Sequence, residues 1–131
     1  MIAFDTNVLA RAILGDDPAQ SRAARAALAE AAEGEGAFVP AVVLIELAWV
    51  LDGAGLGRPV IASAVEMLLS ARGVTVEQPE RARAALSAYV SGAAQFADFF
   101  IAATSADAGC RTLLTFDRKL ARDRRATLLG S

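Results

Sequence analysis

The feature that most constrains the fold is the alternation of short apolar runs with longer segments of helical periodicity. Apolar runs of strand length occur at "MIAF", "AFVP", "VTV", "RTLLTF" and "ATLL", and helix-favouring segments separate the first four. Strands joined through helices form right-handed crossovers, and hence a parallel sheet with helices on both faces. We therefore predict an α/β fold, a three-layer α/β/α sandwich around a central parallel sheet of four to five strands.

Local signals predict where the helices lie. The segment "TNVLARAIL" predicts a short helix that ends at Gly15, and the Ala-rich segment 18–33 strongly favours helix. Segment 41–51 is apolar nearly all round, which predicts a buried helix. Further helices are expected around 61–69, from Pro79 onwards and over 97–108. At 131 residues the chain is expected to form one domain, residues 1–131.

The absence of histidine removes several kinds of active site. No Ser-His-Asp triad, His-based acid/base pair or His-containing zinc site can be built from this sequence.

The formal net charge of −2 does not indicate nucleic-acid binding by the molecule as a whole. No apolar stretch approaches the ~20 residues that a bilayer requires. A single cysteine, Cys110, favours a reducing cytoplasm and is expected to be a small buried side chain.

Four acidic residues occupy positions that suit a ligand site. Open parallel sheets bind ligands at the carboxyl ends of their strands, where Asp5 and Asp117 are expected. Asp98 stands near the start of the helix "FADFFIAAT", and Glu46 is the only charge in "VVLIELAWVL", so its carboxylate should point into the protein or a cleft. Each acid has an ordinary alternative: a helix N-cap for Asp5, an N-cap or first-turn acid for Asp98, a turn former for Asp117 and a buried ion pair with an arginine for Glu46.

Together the four carboxylates predict a metal site. If they meet at one edge of a sheet, they repel one another by about 4 kcal/mol per close pair at an effective dielectric constant of ~20. A fold retains such a cluster when a cation neutralises it. Oxygen ligands without histidine or a suitable cysteine select Mg²⁺ or Mn²⁺ over Zn²⁺.

Four motifs, "FDTNVL", "LIELAWVL", "FADFFIAATSADAGC" and "LLTFDRKL", resemble the signatures of the PIN domain, and most closely those of VapC-type toxins of bacterial toxin–antitoxin pairs. The resemblance covers essentially the whole chain. It implies a metal-dependent endoribonuclease that acts on RNA, with Mg²⁺ or Mn²⁺ as cofactor. It also implies a homodimer and a small DNA-binding antitoxin whose tail covers the acidic cleft. The residues implied as catalytic and metal-binding are Asp5, Glu46, Asp98 and Asp117, and the polar residues implied to support them are Thr6, Asn7 and Thr115.

A basic run near the end of the chain has two interpretations. Six of the 13 basic residues fall between Arg111 and Arg125. Such a run is usually a solvated surface. Contact with RNA backbone phosphates is the functional alternative, with Arg118, Lys119 and Arg122 as candidates.

One alternative concerns the function of the whole chain. A catalytically silent domain of the same fold would act only as a binding or assembly module. The presence of all four acids favours the enzyme.

Overall fold

A computed structural model of the chain describes residues Met1–Gly130, in which two helices follow each of the first three strands. The strands are β1 (Ile2–Ala3), β2 (Ala37–Val39), β3 (Val74–Val76), β4 (Leu113–Thr115) and β5 (Ala126–Leu128). The helices are α1 (Thr6–Leu14), α2 (Pro18–Glu33), α3 (Ala41–Gly53), α4 (Arg58–Ser70), α5 (Pro79–Ser91) and α6 (Phe96–Asp107), and a 3-10 turn covers Leu120–Arg122. None of the helices in this described part is long and apolar enough to cross a membrane.

Capping chemistry explains the helix boundaries. α1 ends at Gly15, whose φ of +66° lies in the left-handed region that glycine adopts without steric cost. α2 begins with Pro18, and the preceding Asp17 accepts a hydrogen bond from the amide of Gln20 through its carboxylate. The bounds predicted for these two helices are confirmed to the residue.

The chain divides into two compact units, of which the first is Met1–Pro79. Its parallel sheet has the strand order β1-β2-β3, in which Ala37 pairs with Ile2 on one side and with Val74 on the other. The amide of Phe4 donates to a carbonyl of β2 and extends the ladder, so Asp5 lies just beyond the end of β1. The largest fully buried side chains of this unit are Leu9, Val39, Leu44, Leu47, Leu51, Ile61, Val65 and Leu68.

The second unit runs from Glu80 onwards. Its strands β4 and β5 form a two-stranded parallel sheet. Aromatic residues of α5 and α6 contribute to its core: the rings of Tyr89 and Phe96 meet edge to face at 5.9 Å, and Phe96 lies 6.0 Å from Phe100. Such ring contacts contribute about 0.5–1.5 kcal/mol each beyond the burial of area.

The predicted α/β fold with parallel strands is confirmed, and all five expected strands are present. Over residues 1–130 their hydrogen-bonded ladders form sets of three and two strands. Two predictions about burial are wrong. α3 is not buried all round, since Val42, Glu46 and Trp49 are exposed, and Cys110 is exposed as well. Burial depends on which elements pack against a residue, and the neighbouring sequence does not determine that.

Candidate metal centre

Thr6 links two of the candidate acids in the first unit. Thr6 is buried, with 7% of its surface exposed, and its hydroxyl donates to Oε1 of Glu46 at 2.9 Å. Its backbone amide donates to Oδ1 of Asp5 at 2.8 Å. Asp5 follows β1 and Glu46 lies in α3, so the fold brings two acids that are distant in sequence to one threonine.

Asp5 occupies the N-cap position of α1 without making the usual side-chain bond. A capping carboxylate normally accepts from the second or third amide of its helix. Oδ1 of Asp5 instead bonds to the first amide, that of Thr6, while the Asp5 carbonyl accepts from Val8 and Leu9. The capping alternative is therefore confirmed for the backbone of Asp5 and only in part for its carboxylate.

Glu46 is not buried in the protein interior. It is exposed on α3, and its hydrogen-bond partner is the Thr6 hydroxyl. No ion pair joins it to an arginine of the described chain, so the alternative of a buried ion pair is wrong. An exposed carboxylate keeps much of its hydration, so it does not incur the free-energy cost of burying a charge and does not need a cationic partner.

In the second unit, Asp98 and Asp117 each bond to nearby backbone. Oδ2 of Asp98 accepts from the amide of Gln95 at 3.0 Å, at the start of α6. Oδ1 of Asp117 accepts from the amides of Lys119 and Leu120 at 2.8 and 3.3 Å, at the start of the 3-10 turn. The first-turn and turn-forming contacts expected as alternatives are thus present, and each occupies one oxygen of the carboxylate.

The other predicted polar residues differ in their surroundings. Oγ1 of Thr115 accepts from the amide of Asp117 at 3.0 Å. Asn7 is exposed in the first turn of α1 and lines a groove of about 410 Å³ together with Arg11 and Gln20. Thr6 and Thr115 therefore contact candidate acids directly, whereas Asn7 borders α2.

The four candidate carboxylates share one pattern of bonding. In each, one oxygen is hydrogen-bonded to protein, and the other oxygen has neither a hydrogen bond nor an ion pair with any residue of the described range. Acids that do pair with arginine include Asp16, Asp107 and Asp123. Asp17 and Glu77 also accept a hydrogen bond through one carboxylate oxygen. This pattern therefore does not by itself distinguish the four candidate acids from other acidic residues. The shared threonine distinguishes the pair in the first unit.

The donor chemistry fits a hard divalent cation. The candidate ligands are carboxylate oxygens with hydroxyl groups beside them, and the sequence has no histidine. Within residues 1–130, no group of three or more acidic or cysteine side chains is arranged so that it could hold a metal ion. Asp5 and Glu46 provide two carboxylates that are hydrogen-bonded to Thr6.

The second unit also has a cavity of about 360 Å³ bordered by cations. Lys119, Arg122 and Ser91 line it together with Asp123. Both carboxylate oxygens of Asp123 bond to the guanidinium of Arg125, which lowers the pKa of Asp123 below its ordinary value and raises that of Arg125. Lys119 and Arg122 form no ion pair within the range that the structure describes, so the lining carries net positive charge.

Comparison with known proteins identifies a family. The family model described as PIN domain matches residues 2–125 of the 131-residue chain, a range that includes all four candidate acids. No curated protein matches the sequence.

Proposed function

Because the chain belongs to the PIN domain family, whose members are generally metal-dependent nucleases, we propose that it is a Mg²⁺- or Mn²⁺-dependent endoribonuclease. We propose further that it is the toxin of a VapC-type toxin–antitoxin pair and acts in the cytoplasm. The observation that carries the nuclease proposal is the bonding of Asp5 and Glu46 to one buried threonine. Neither carboxylate has a cationic partner in the described chain, as expected for ligands of a metal ion.

The residues proposed as metal ligands are Asp5 and Glu46 in the first unit and Asp98 and Asp117 in the second. Hydrogen bonds orient one oxygen of each carboxylate and leave the second oxygen for a ligand. When bound, Mg²⁺ or Mn²⁺ supplies Lewis-acid activation of water for phosphodiester hydrolysis. Thr6 would hold Glu46 in position, and Thr115 would fix the backbone at Asp117. Hydrolysis by water should leave 5′-phosphate and 3′-hydroxyl ends, and a cyclic phosphate product would contradict it.

Contacts with the RNA backbone are proposed for Arg118, Lys119 and Arg122. All three are exposed, and Lys119 and Arg122 line the cavity of the second unit. Since Arg125 already neutralises the carboxylate of Asp123, the positive charge of this lining remains for a phosphate group.

A protein partner is proposed on the basis of an apolar groove in the first unit. The groove has a volume of about 540 Å³ and lies between α1, α2 and α4. Val60 and Met67 are exposed in its lining, which also includes Arg25 and Arg72. Exposed apolar surface of this kind is typical of interaction sites. We propose an antitoxin encoded by the neighbouring gene as the partner, and a homodimer as the assembly of the nuclease itself.

The nuclease proposal is tested with purified wild-type protein and the variants Asp5→Asn and Asp98→Asn. We expect Mg²⁺- or Mn²⁺-dependent cleavage of single-stranded RNA by the wild type, and a loss of at least about 100-fold in each variant, because metal activation contributes several kcal/mol to the rate. Calorimetric titration with Mn²⁺ gives a second readout, in which both variants should bind the ion more weakly.

The matched control is Asp17→Asn. Asp17 shows the same single-oxygen bonding, but it caps α2, and asparagine caps equally well. Its activity and Mn²⁺ affinity should equal those of the wild type. Full activity in Asp5→Asn or Asp98→Asn with intact folding would end the metal-site proposal. A wild type that binds RNA without cleaving it in the presence of either metal would support the silent binding module.

A further inference from the structure

Only two aromatic side chains of the described chain are largely exposed, and each neighbours a candidate acid of its own unit. Trp49 is 75% exposed and Phe116 is 77% exposed. The chain has six Phe, one Tyr and one Trp, and the remaining rings are buried or half-buried. Trp49 lies three residues after Glu46 on α3, and Phe116 immediately precedes Asp117. Residues three apart on a helix are neighbours on its surface.

We propose that Trp49 and Phe116 are contact residues on which unstacked bases of single-stranded RNA stack. This inference rests on the proposed nuclease function and specifies how its substrate is held. Single-stranded RNA is commonly recognised by stacking its bases on aromatic side chains, and stacking tolerates any sequence because every base has a π face. An exposed indole beside a ligand carboxylate would hold a base next to the phosphate that is cleaved.

The exposed face of α3 suits RNA better than a second protein. Val42, Glu46 and Trp49 follow one another at helical spacing and are all exposed. A dry protein interface over this face would remove water from the Glu46 carboxylate, which has no cationic partner in residues 1–130, and such desolvation is costly. A nucleotide allows the carboxylate to stay hydrated or bound to a metal ion while the ring alone is covered.

Charge around Phe116 favours the same partner. Arg118 and Lys119 follow two and three residues later, are exposed, and form no ion pair with any described residue. An aromatic face with unpaired cations close by in sequence matches a nucleotide, whose base stacks while its phosphate is attracted to the charge.

Trp49 is the only tryptophan, so its fluorescence reports on this site alone. The experiment uses the Asp98→Asn variant in Mg²⁺, in which cleavage is expected to be at least about 100-fold slower, and a labelled single-stranded RNA of about 12 nucleotides that gel electrophoresis shows to be intact after the titration. We expect RNA to quench the tryptophan emission with the same midpoint as its anisotropy change. Trp49→Leu should weaken RNA binding by roughly 5- to 100-fold, and Phe116→Leu should also weaken it. Trp49→Phe should lose less RNA affinity than Trp49→Leu, because it keeps an aromatic face.

Two matched controls remove exposed aliphatic groups near the rings. Val42→Ala, 62% exposed on the same face of α3, and Leu114→Ala, 58% exposed in β4, should leave RNA affinity unchanged. The proposal is overturned if RNA binds without quenching, or if Trp49→Leu binds like the parent protein. It is also overturned if the tryptophan of free protein resists acrylamide quenching until the protein is diluted, since a second copy would then cover it. Because this assay needs no turnover, its result is independent of whether the wild type cleaves RNA.

Discussion

The hydroxyl of Thr6 is the most direct place to test how the first unit positions its acids. Thr6→Val replaces this hydroxyl by a methyl group of similar size. The lost hydrogen bond to Glu46 is worth about 0.5–1.5 kcal/mol net, because the exposed carboxylate regains water. A buried methyl group returns roughly 0.8 kcal/mol through apolar burial. The free energy of unfolding should therefore fall by less than about 1 kcal/mol, a melting-temperature change of no more than about 4 °C for a chain of this length.

The effect on metal binding should be much larger than the effect on stability. Removing the partner that orients a metal ligand typically costs 10- to 100-fold in metal affinity or activity, and we expect about that loss for Thr6→Val. The assays are calorimetric titration with Mn²⁺ and the initial rate of RNA cleavage, with stability measured by urea unfolding. Thr6→Ser keeps the hydroxyl and should recover most of both values.

A double-mutant cycle with Glu46→Gln tests the contact itself. If Thr6 acts through Glu46, Thr6→Val should change Mn²⁺ affinity little in the Glu46→Gln background, and the coupling free energy should be about 1 kcal/mol or more. Wild-type Mn²⁺ affinity and cleavage rate in a folded Thr6→Val protein would refute the orienting role. Equal losses in Thr6→Val and Thr6→Ser would refute it as well, since serine retains the donor.

Two further predictions concern stability and are independent of the nuclease proposal. Gly73→Ala should destabilise the protein by several kcal/mol more than Gly109→Ala. Both glycines have positive φ, but a Cβ at Gly73 would lie 2.0 Å from the carbonyl oxygen of Ala32, whereas a Cβ at Gly109 would meet no neighbouring atom. Urea unfolding measures the difference, and equal losses would show that the close contact is not maintained. Asp123→Asn should cost about 1 kcal/mol at pH 7, because it breaks the bond from Arg125 that lowers the pKa of Asp123. A depressed pKa stabilises the fold above the unfolded value of about 3.9 and loses that effect as the pH falls through the folded value. The difference between wild type and variant should therefore shrink below about pH 4, and a gap that stays constant from pH 7 to pH 3 would contradict this.

Local sequence determined the secondary structure of this protein to a large extent. α1 and α2 have the predicted bounds because their ends depend on residues within a few positions, such as Gly15, Asp17 and Pro18. The strands were also predictable, because in an α/β fold a short apolar run between two helical segments usually forms a strand of the central sheet. The four candidate acids were identified by their place relative to these elements, and their joint role as ligands stays a prediction.

Tertiary structure alone decided which side chains are exposed and which acids share a partner. The composition of α3 predicted burial on all sides, yet one face of it presents Val42, Glu46 and Trp49 to solvent. No local signal connects Thr6 to Glu46, because a hydrogen bond across 40 residues exists only when a strand end and a distant helix pack together. Capping and periodicity act over a few residues, whereas burial and partnership depend on elements brought together by the whole fold.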